Sequence, residues 1–128
     1  MPKKLLFIGP VRNDSRSGEK RKVVSEECAL QDWAAEFPDY DPQTADFSLD
    51  DMLDAFRAAA LILADLSFER PSCYFELGCA ETLRRPVALV AERGTAIHQT
   101  AHRAEVAFFG DIDEFRHAVR SFISRKTS

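Results

Sequence analysis

The sequence predicts one α/β domain over residues 1–128, built on a doubly wound, mostly parallel sheet of five strands. Three observations predict it. Short, nearly continuous apolar runs end in Gly, Asp or Glu, which is how strands buried on both faces of a parallel sheet read. Amphipathic stretches of helical period lie between those runs. The two kinds of segment alternate along the chain, and that alternation implies right-handed crossovers.

In chain order, "KLLFIG" at 4–9 is the first strand, followed by a polar loop at 11–18 and an amphipathic helix over 19–36. A weaker strand at 37–40, blurred by Pro38 and Pro42, precedes a helix at 48–58 whose cap is Ser48. "AALILADL" at 59–66 is the third strand. The next helix, 72–83, opens with Pro71 and takes Ser72 as its cap. "PVALVAE" at 86–92 and "AEVAFFG" at 104–110 are the fourth and fifth strands, and a last helix at 111–124 is capped by Asp111. No internal repeat, low-complexity tract or linker interrupts this order.

Composition narrows the function. A chain of 128 residues with 45% hydrophobic residues builds an ordinary core without staples. The net charge of -4 argues against a nucleic-acid polymer as partner. Basic residues crowd one early stretch, Arg12, Arg16, Lys20, Arg21 and Lys22, and the acids from Glu36 to Asp54 read as a solvated surface. Cys28, Cys73 and Cys79 form no CxxC pair and read as small buried hydrophobes in a reducing compartment. Cys79 shares a projected face with Glu76, but no spacing links it to His98, His102 or His117, so the structural reading outweighs a Cys/His catalytic pair. The apolar run in "MPKKLLFIGP" is too short for a signal peptide, and no segment can span a bilayer. A soluble, cytoplasmic protein with no metal, cofactor or membrane partner is expected.

One carboxylate stands out. On a helical projection, Phe75, Cys79, Ala80 and Leu83 share a side with Glu76, whereas Glu81, Arg84 and Arg85 fall on the other. A buried carboxylate costs several kcal/mol by order of magnitude unless it is paired or protonated. Glu76 therefore either bonds a loop near the helix N-terminus or is a catalytic carboxylate lining a pocket. In a doubly wound sheet, ligands bind outside the carboxyl ends of the strands. The first strand ends at Gly9 and Pro10, the third at Asp65, and the helix after it carries Glu76, so all converge on one rim. Gly9-Pro10 allows a close backbone approach or simply a turn. Arg12, with Arg16, Lys20 and Arg21 behind it, holds a phosphate or forms an ordinary basic surface loop. No GxGxxG or P-loop sequence is present.

The span 64–90, "ADLSFERPSCYFELGCAETLRRPVALV", resembles the signature of nucleoside 2-deoxyribosyltransferase-like proteins: a strand, a Ser- or Pro-bearing loop, a helix beginning "YELG" or "FELG", then an Arg-Pro-Val strand. "FIGPVRN" near the N-terminus extends the likeness more loosely. Relatives include nucleoside 5′-monophosphate N-glycosidases and TIR-like domains, some of which cleave NAD. The resemblance implies a flavodoxin-like or Rossmann-like domain that cleaves the N-glycosidic bond of a nucleoside or nucleoside 5′-monophosphate, by hydrolysis or base transfer. Glu76 would be the nucleophile at C1′, Ser72 would meet the sugar or phosphate, and Arg12 with the backbone after Gly9 would cradle the 5′ end. Two positions depart from the family, Leu6 where a tyrosine is common and Met52 where an aspartate is. Asp51 by a one-residue shift, and the Tyr74 hydroxyl, are the candidate repairs. Asp65 or Asp51 would protonate the leaving base. The alternatives are a TIR-like NAD glycohydrolase and a non-catalytic nucleotide-binding sensor. The resemblance also implies a homodimer or larger assembly, with contact area from Phe108 and Phe109, or from Trp33 and Phe37.

Overall fold

The computed structural model describes residues 2–10, 14–38 and 43–127. Strands β1 (Lys4–Ile8), β2 (Ala34–Glu36), β3 (Leu61–Asp65), β4 (Val87–Glu92) and β5 (Ala107–Phe109) form one sheet in the order β2-β1-β3-β4-β5. Every pairing is parallel, so the expected doubly wound, flavodoxin-like sheet is the observed one. Helices α1 (Ser17–Leu30) and α4 (Ile112–Thr127) cover one face, and α2 (Leu49–Ala58) and α3 (Pro71–Thr82) the other.

Strand geometry explains the continuous apolar runs. Leu5, Phe7, Leu61, Leu63, Ala88 and Val90 pack with Val23 and Val24 of α1 and Phe115, Val119 and Ile123 of α4. Their chain neighbours Leu6, Ile8, Ile62, Ala64, Leu89 and Ala91 pack with Met52 and Phe56 of α2 and with Leu77 and Ala80 of α3. Successive residues thus serve opposite cores, and polar side chains in the central strands stand only at their ends, at Lys4, Asp65 and Glu92.

Four boundaries differ from expectation. The first helix ends at Leu30 rather than near 36, and β2 occupies 34–36, ahead of the strand expected at 37–40. The cause is a Schellman closure: Trp33 N–H donates to the Cys28 carbonyl at 2.8 Å and Asp32 N–H to that of Ala29 at 3.2 Å. Asp32, at φ 60°, takes the left-handed position where glycine is usual, so no glycine marks the stop. Ser72 is not the cap of α3. Pro71, with its pre-set φ, is the first helical residue and Arg70 stands at the cap without a side-chain bond. Strand β5 begins only at Ala107 because Arg103–Glu105 form a 3-10 turn. Ser48 and Asp111 do cap, accepting from the N–H of Asp51 at 3.2 Å and of Glu114 at 2.8 Å.

Strand order reverses between β1 and β3, which places the crevice of the fold at Gly9 and Asp65. Helices α1, α2 and α3 make the first three crossovers, but residues 93–106, between β4 and β5, contain no α-helix. Ile97 and Val106 of this segment lie against the α2/α3 core.

Candidate active site

Glu76 is 7% exposed. The buried positions of α3 are Cys73, Glu76, Leu77 and Ala80, the i, i+3, i+4, i+7 stripe of a helix lying on a sheet. Phe75, expected on that stripe, is instead 43% exposed. Glu81, expected in solvent, is only 14% exposed and accepts from Thr100 and Ala101. The buried face is therefore turned toward Cys73 and Leu77 relative to the expected one, while Glu76 remains on it.

Cys73 reports on the charges around it. Burial, then the negative charges of Glu76 and Asp65, push its thiol up to about 12. Cys73 lies one helical turn before Glu76 on the same buried stripe. Burial and Glu76 also raise the Cys79 thiol, so neither cysteine carries a thiolate near neutral pH, in line with the structural reading.

Asp65, the last residue of β3, is fully buried and both its oxygens are engaged. Oδ1 accepts from the Ser67 hydroxyl at 2.7 Å and the Ser67 N–H at 3.1 Å, and Oδ2 accepts from Lys20 Nζ at 2.7 Å. Lys20 also donates to Asp14 Oδ2 at 2.7 Å, and Ser67 Oγ accepts from Glu92 N–H at 2.9 Å. Burial pulls the Lys20 ammonium down, but the charge of Asp65 and the bonds to Asp14 and Asp65 outweigh it and hold its pKa above the ordinary lysine value. Lys20, 1% exposed, is therefore spent on two carboxylates and fits neither of the two readings that the sequence left open, a phosphate ligand or a surface loop. It braces the carboxyl end of β3. A signal for this existed, since Lys20, Val23, Val24, Glu27 and Cys28 all lie on the buried stripe of α1.

The rest of the expected basic cluster is also partly used. Arg16 approaches Glu92 at 3.9 Å and the Arg21 guanidinium lies 5.5 Å from the Phe37 ring centre. Arg12 lies outside the described residues. Gly9 has a packing reason: a Cβ there would sit 2.9 Å from Phe7 Cζ and 3.7 Å from Asp65 Cβ. Pro10, beside it, is buried. Ser72 is half-buried in the first turn of α3.

Tyr74, the candidate substitute for the missing tyrosine, is half-buried on α3. Its hydroxyl accepts from His98 N–H at 2.9 Å, and side chains two apart on a helix do not face each other, so Tyr74 points away from Glu76. Asp51 is exposed in the first turn of α2. Leu6 and Met52, at the two departing positions, are both fully buried in the α2/α3 core, where they act as packing residues. Beside the site, Leu49, Leu53, Phe75, Cys79 and Leu83 line an apolar groove of about 480 Å³ between α2 and α3. Among the described residues no group of three or more His, Cys, Asp or Glu is arranged to hold a metal ion, and no helix is long and apolar enough to cross a membrane.

No family model and no curated protein matches the chain. Solved structures do. A CMP N-glycosidase of Clostridium botulinum superposes with a TM-score of 0.66 at 11% identity, covering 90% of this chain and 96% of that one. A 2-deoxyribosyltransferase of Bacillus psychrosaccharolyticus superposes at 0.62 and 17% identity, covering 88% and 90%. The chain has their fold. A response regulator receiver domain protein of Bacillus halodurans also superposes, at 0.58 and 9% identity over 94% of this chain and 97% of that one. One fold thus hosts unlike functions, and the side chains at the strand ends must carry the assignment.

Proposed function

We propose that this protein cleaves or transfers the N-glycosidic bond of a nucleoside or nucleoside 5′-monophosphate, with Glu76 as a carboxylate nucleophile. The observation that carries the reading is a carboxylate held 7% exposed on the helix that follows β3, beside the strand-order reversal. Two solved structures of the same fold, named for a CMP N-glycosidase and a 2-deoxyribosyltransferase, support it.

In the proposed reaction a Glu76 oxygen attacks C1′ and the C1′–N bond breaks, its electron pair leaving with the base, which takes up a proton. Water, or a second base, then attacks C1′ from the opposite face and releases the carboxylate. Positive charge builds at C1′ in both steps, and a poorly solvated anion beneath the sugar stabilises it. Asp65 has both oxygens occupied and acts by holding the strand end. Asp51, exposed on α2, is the remaining carboxylate of the expected set and is assigned the proton. Ser72 is assigned to the sugar or phosphate, and Arg12 to the 5′ end together with Gly9 and Pro10. A homodimer or larger assembly closing the pocket is part of this proposal, with Phe108 the most exposed of the four expected contact residues. Trp33 and Phe109 are buried within the chain, whereas Leu49, Phe75 and Phe108 are exposed.

A non-catalytic nucleotide sensor is the second reading, favoured by the burial of Leu6 and Met52 at positions where the family carries a tyrosine and an aspartate. The test incubates the protein with nucleosides, nucleoside monophosphates and NAD and measures released base by chromatography. Base from a nucleoside or nucleotide is the expected result. Release of nicotinamide alone would replace the proposal with NAD hydrolysis, and binding without release would leave the sensor.

A further inference from the structure

Residues 93–106 cross from β4 to β5 without a helix and are tied to α3 by side chains instead. At one end His98 Nε2 lies 2.5 Å from Glu69 Oε1, and His98 N–H donates to the Tyr74 hydroxyl at 2.9 Å. At the other, Glu81 Oε2 accepts from Thr100 Oγ1 at 2.7 Å and Ala101 N–H at 2.9 Å, and lies 2.6 Å from His102 Nδ1. Glu69 belongs to the loop between β3 and α3, where Phe68 and Glu69 stand consecutively at φ 65° and 51°. Side chains other than glycine rarely adopt that conformation, so something must hold it. Asp65 holds the loop through Ser67 at its start, and His98 holds Glu69 near its end.

We propose that residues 93–106 form a proton-tightened strap, latched to α3 and its entry loop by the His98–Glu69 and His102–Glu81 pairs. The proposal is independent of the reaction assigned to Glu76, although the strap holds the entry to the helix that carries it. An imidazolium facing a carboxylate makes an ion pair, whereas a neutral imidazole makes only a hydrogen bond. The latch is therefore tight while both imidazoles carry the proton and loosens when they lose it. Glu81 sets the acid limit. Burial raises its pKa, but the bonds from Thr100, His102 and Ala101 outweigh burial and hold it below the usual carboxylate range, so the carboxylate stays charged in weak acid. The charged and titratable groups facing His98 are Glu69 from the entry loop and Tyr74 from α3, with Arg103 of the strap donating to the His98 carbonyl at 2.6 Å. Facing His102 is Glu81 of α3.

Amide hydrogen exchange on the full chain tests the strap, with rates expressed as protection factors so that intrinsic pH dependence drops out. The amides of His98, Ala101 and His102 should be roughly three- to tenfold better protected at about pH 5.5 than at about pH 8, as expected for two partly exposed ion pairs. Amides of α4 should not change. His98→Gln with His102→Gln should flatten the difference. Equal protection at both pH values in the wild type would overturn the strap, and that comparison needs no variant to fold. So would a pH dependence surviving in the double variant, or an equal change in α4, which would mark global stability.

Discussion

Lys20 and Asp65, 45 residues apart in sequence, meet at 2.7 Å at the carboxyl end of β3 with neither side chain more than 1% exposed. The pair joins α1 to the sheet, and Asp65 passes the constraint to Ser67 and so to the loop that opens α3. Removing one partner leaves buried charge uncompensated, so Lys20→Met should cost about 3–5 kcal/mol in urea unfolding. Lys20→Met combined with Asp65→Asn should cost less than the sum of the single changes, because the orphaned charge goes too. The Lys20 pKa is raised in the folded state, so its contribution is complete below the unfolded lysine value of about 10.4 and lost as pH rises through the folded one. Stability of the wild type should therefore fall at the alkaline end more steeply than that of Lys20→Met.

Glu27 should show the opposite pH dependence. On α1 it is buried and accepts from Arg120 Nε at 2.7 Å and Arg116 Nη1 at 2.9 Å, both on α4. The Arg120 bond holds its carboxyl below the usual range, burial opposes this, and Arg116 adds to the lowering. Stability from Glu27 is thus present above the unfolded value of about 4.3 and lost as pH falls through the folded one. Glu27→Gln should cost about 1–3 kcal/mol near neutrality and flatten the acid limb of the stability profile, as read by thermal unfolding at graded pH.

Gly9→Ala should destabilise the fold by about 1–3 kcal/mol, since the added methyl meets the ring of Phe7, itself packed against Phe37 and Phe115. Adding Phe7→Leu should shrink that increment. An unchanged melting temperature together with weakened nucleotide binding would leave Gly9 its ligand role alone, without the packing one.

Glu76→Gln keeps the shape of the side chain and removes the anionic nucleophile. Base release should fall on the order of a thousandfold or more while the fold is retained, as read by an unchanged circular dichroism spectrum. Undiminished base release from the variant would remove Glu76 from the mechanism.

Arg12→Ala should weaken a nucleoside monophosphate more than its nucleoside, by about 1.5–3 kcal/mol if a charge-assisted bond to phosphate is lost. Equal binding losses for the two ligands, measured by calorimetry, would assign the basic loop to the surface.

Local pattern alone determined the layered sheet. Strands such as Leu61–Asp65 are buried on both faces, and that demand writes itself into four consecutive apolar residues, Leu61 to Ala64. It also singled out Glu76, because a carboxylate on an apolar stripe is visible from helical spacing. The end of α1 was hidden because Asp32 does what a glycine normally announces. Only the tertiary structure decided which charged groups are spent on one another. Lys20 reads as one of five neighbouring cations until Asp65 and Asp14 are brought to it, and Glu81 reads as a surface acid until the strap folds over it. The physical reason is that a charge tolerates burial only with a partner at hydrogen-bond distance, and these partners lie up to 45 residues away, where no local spacing can register them.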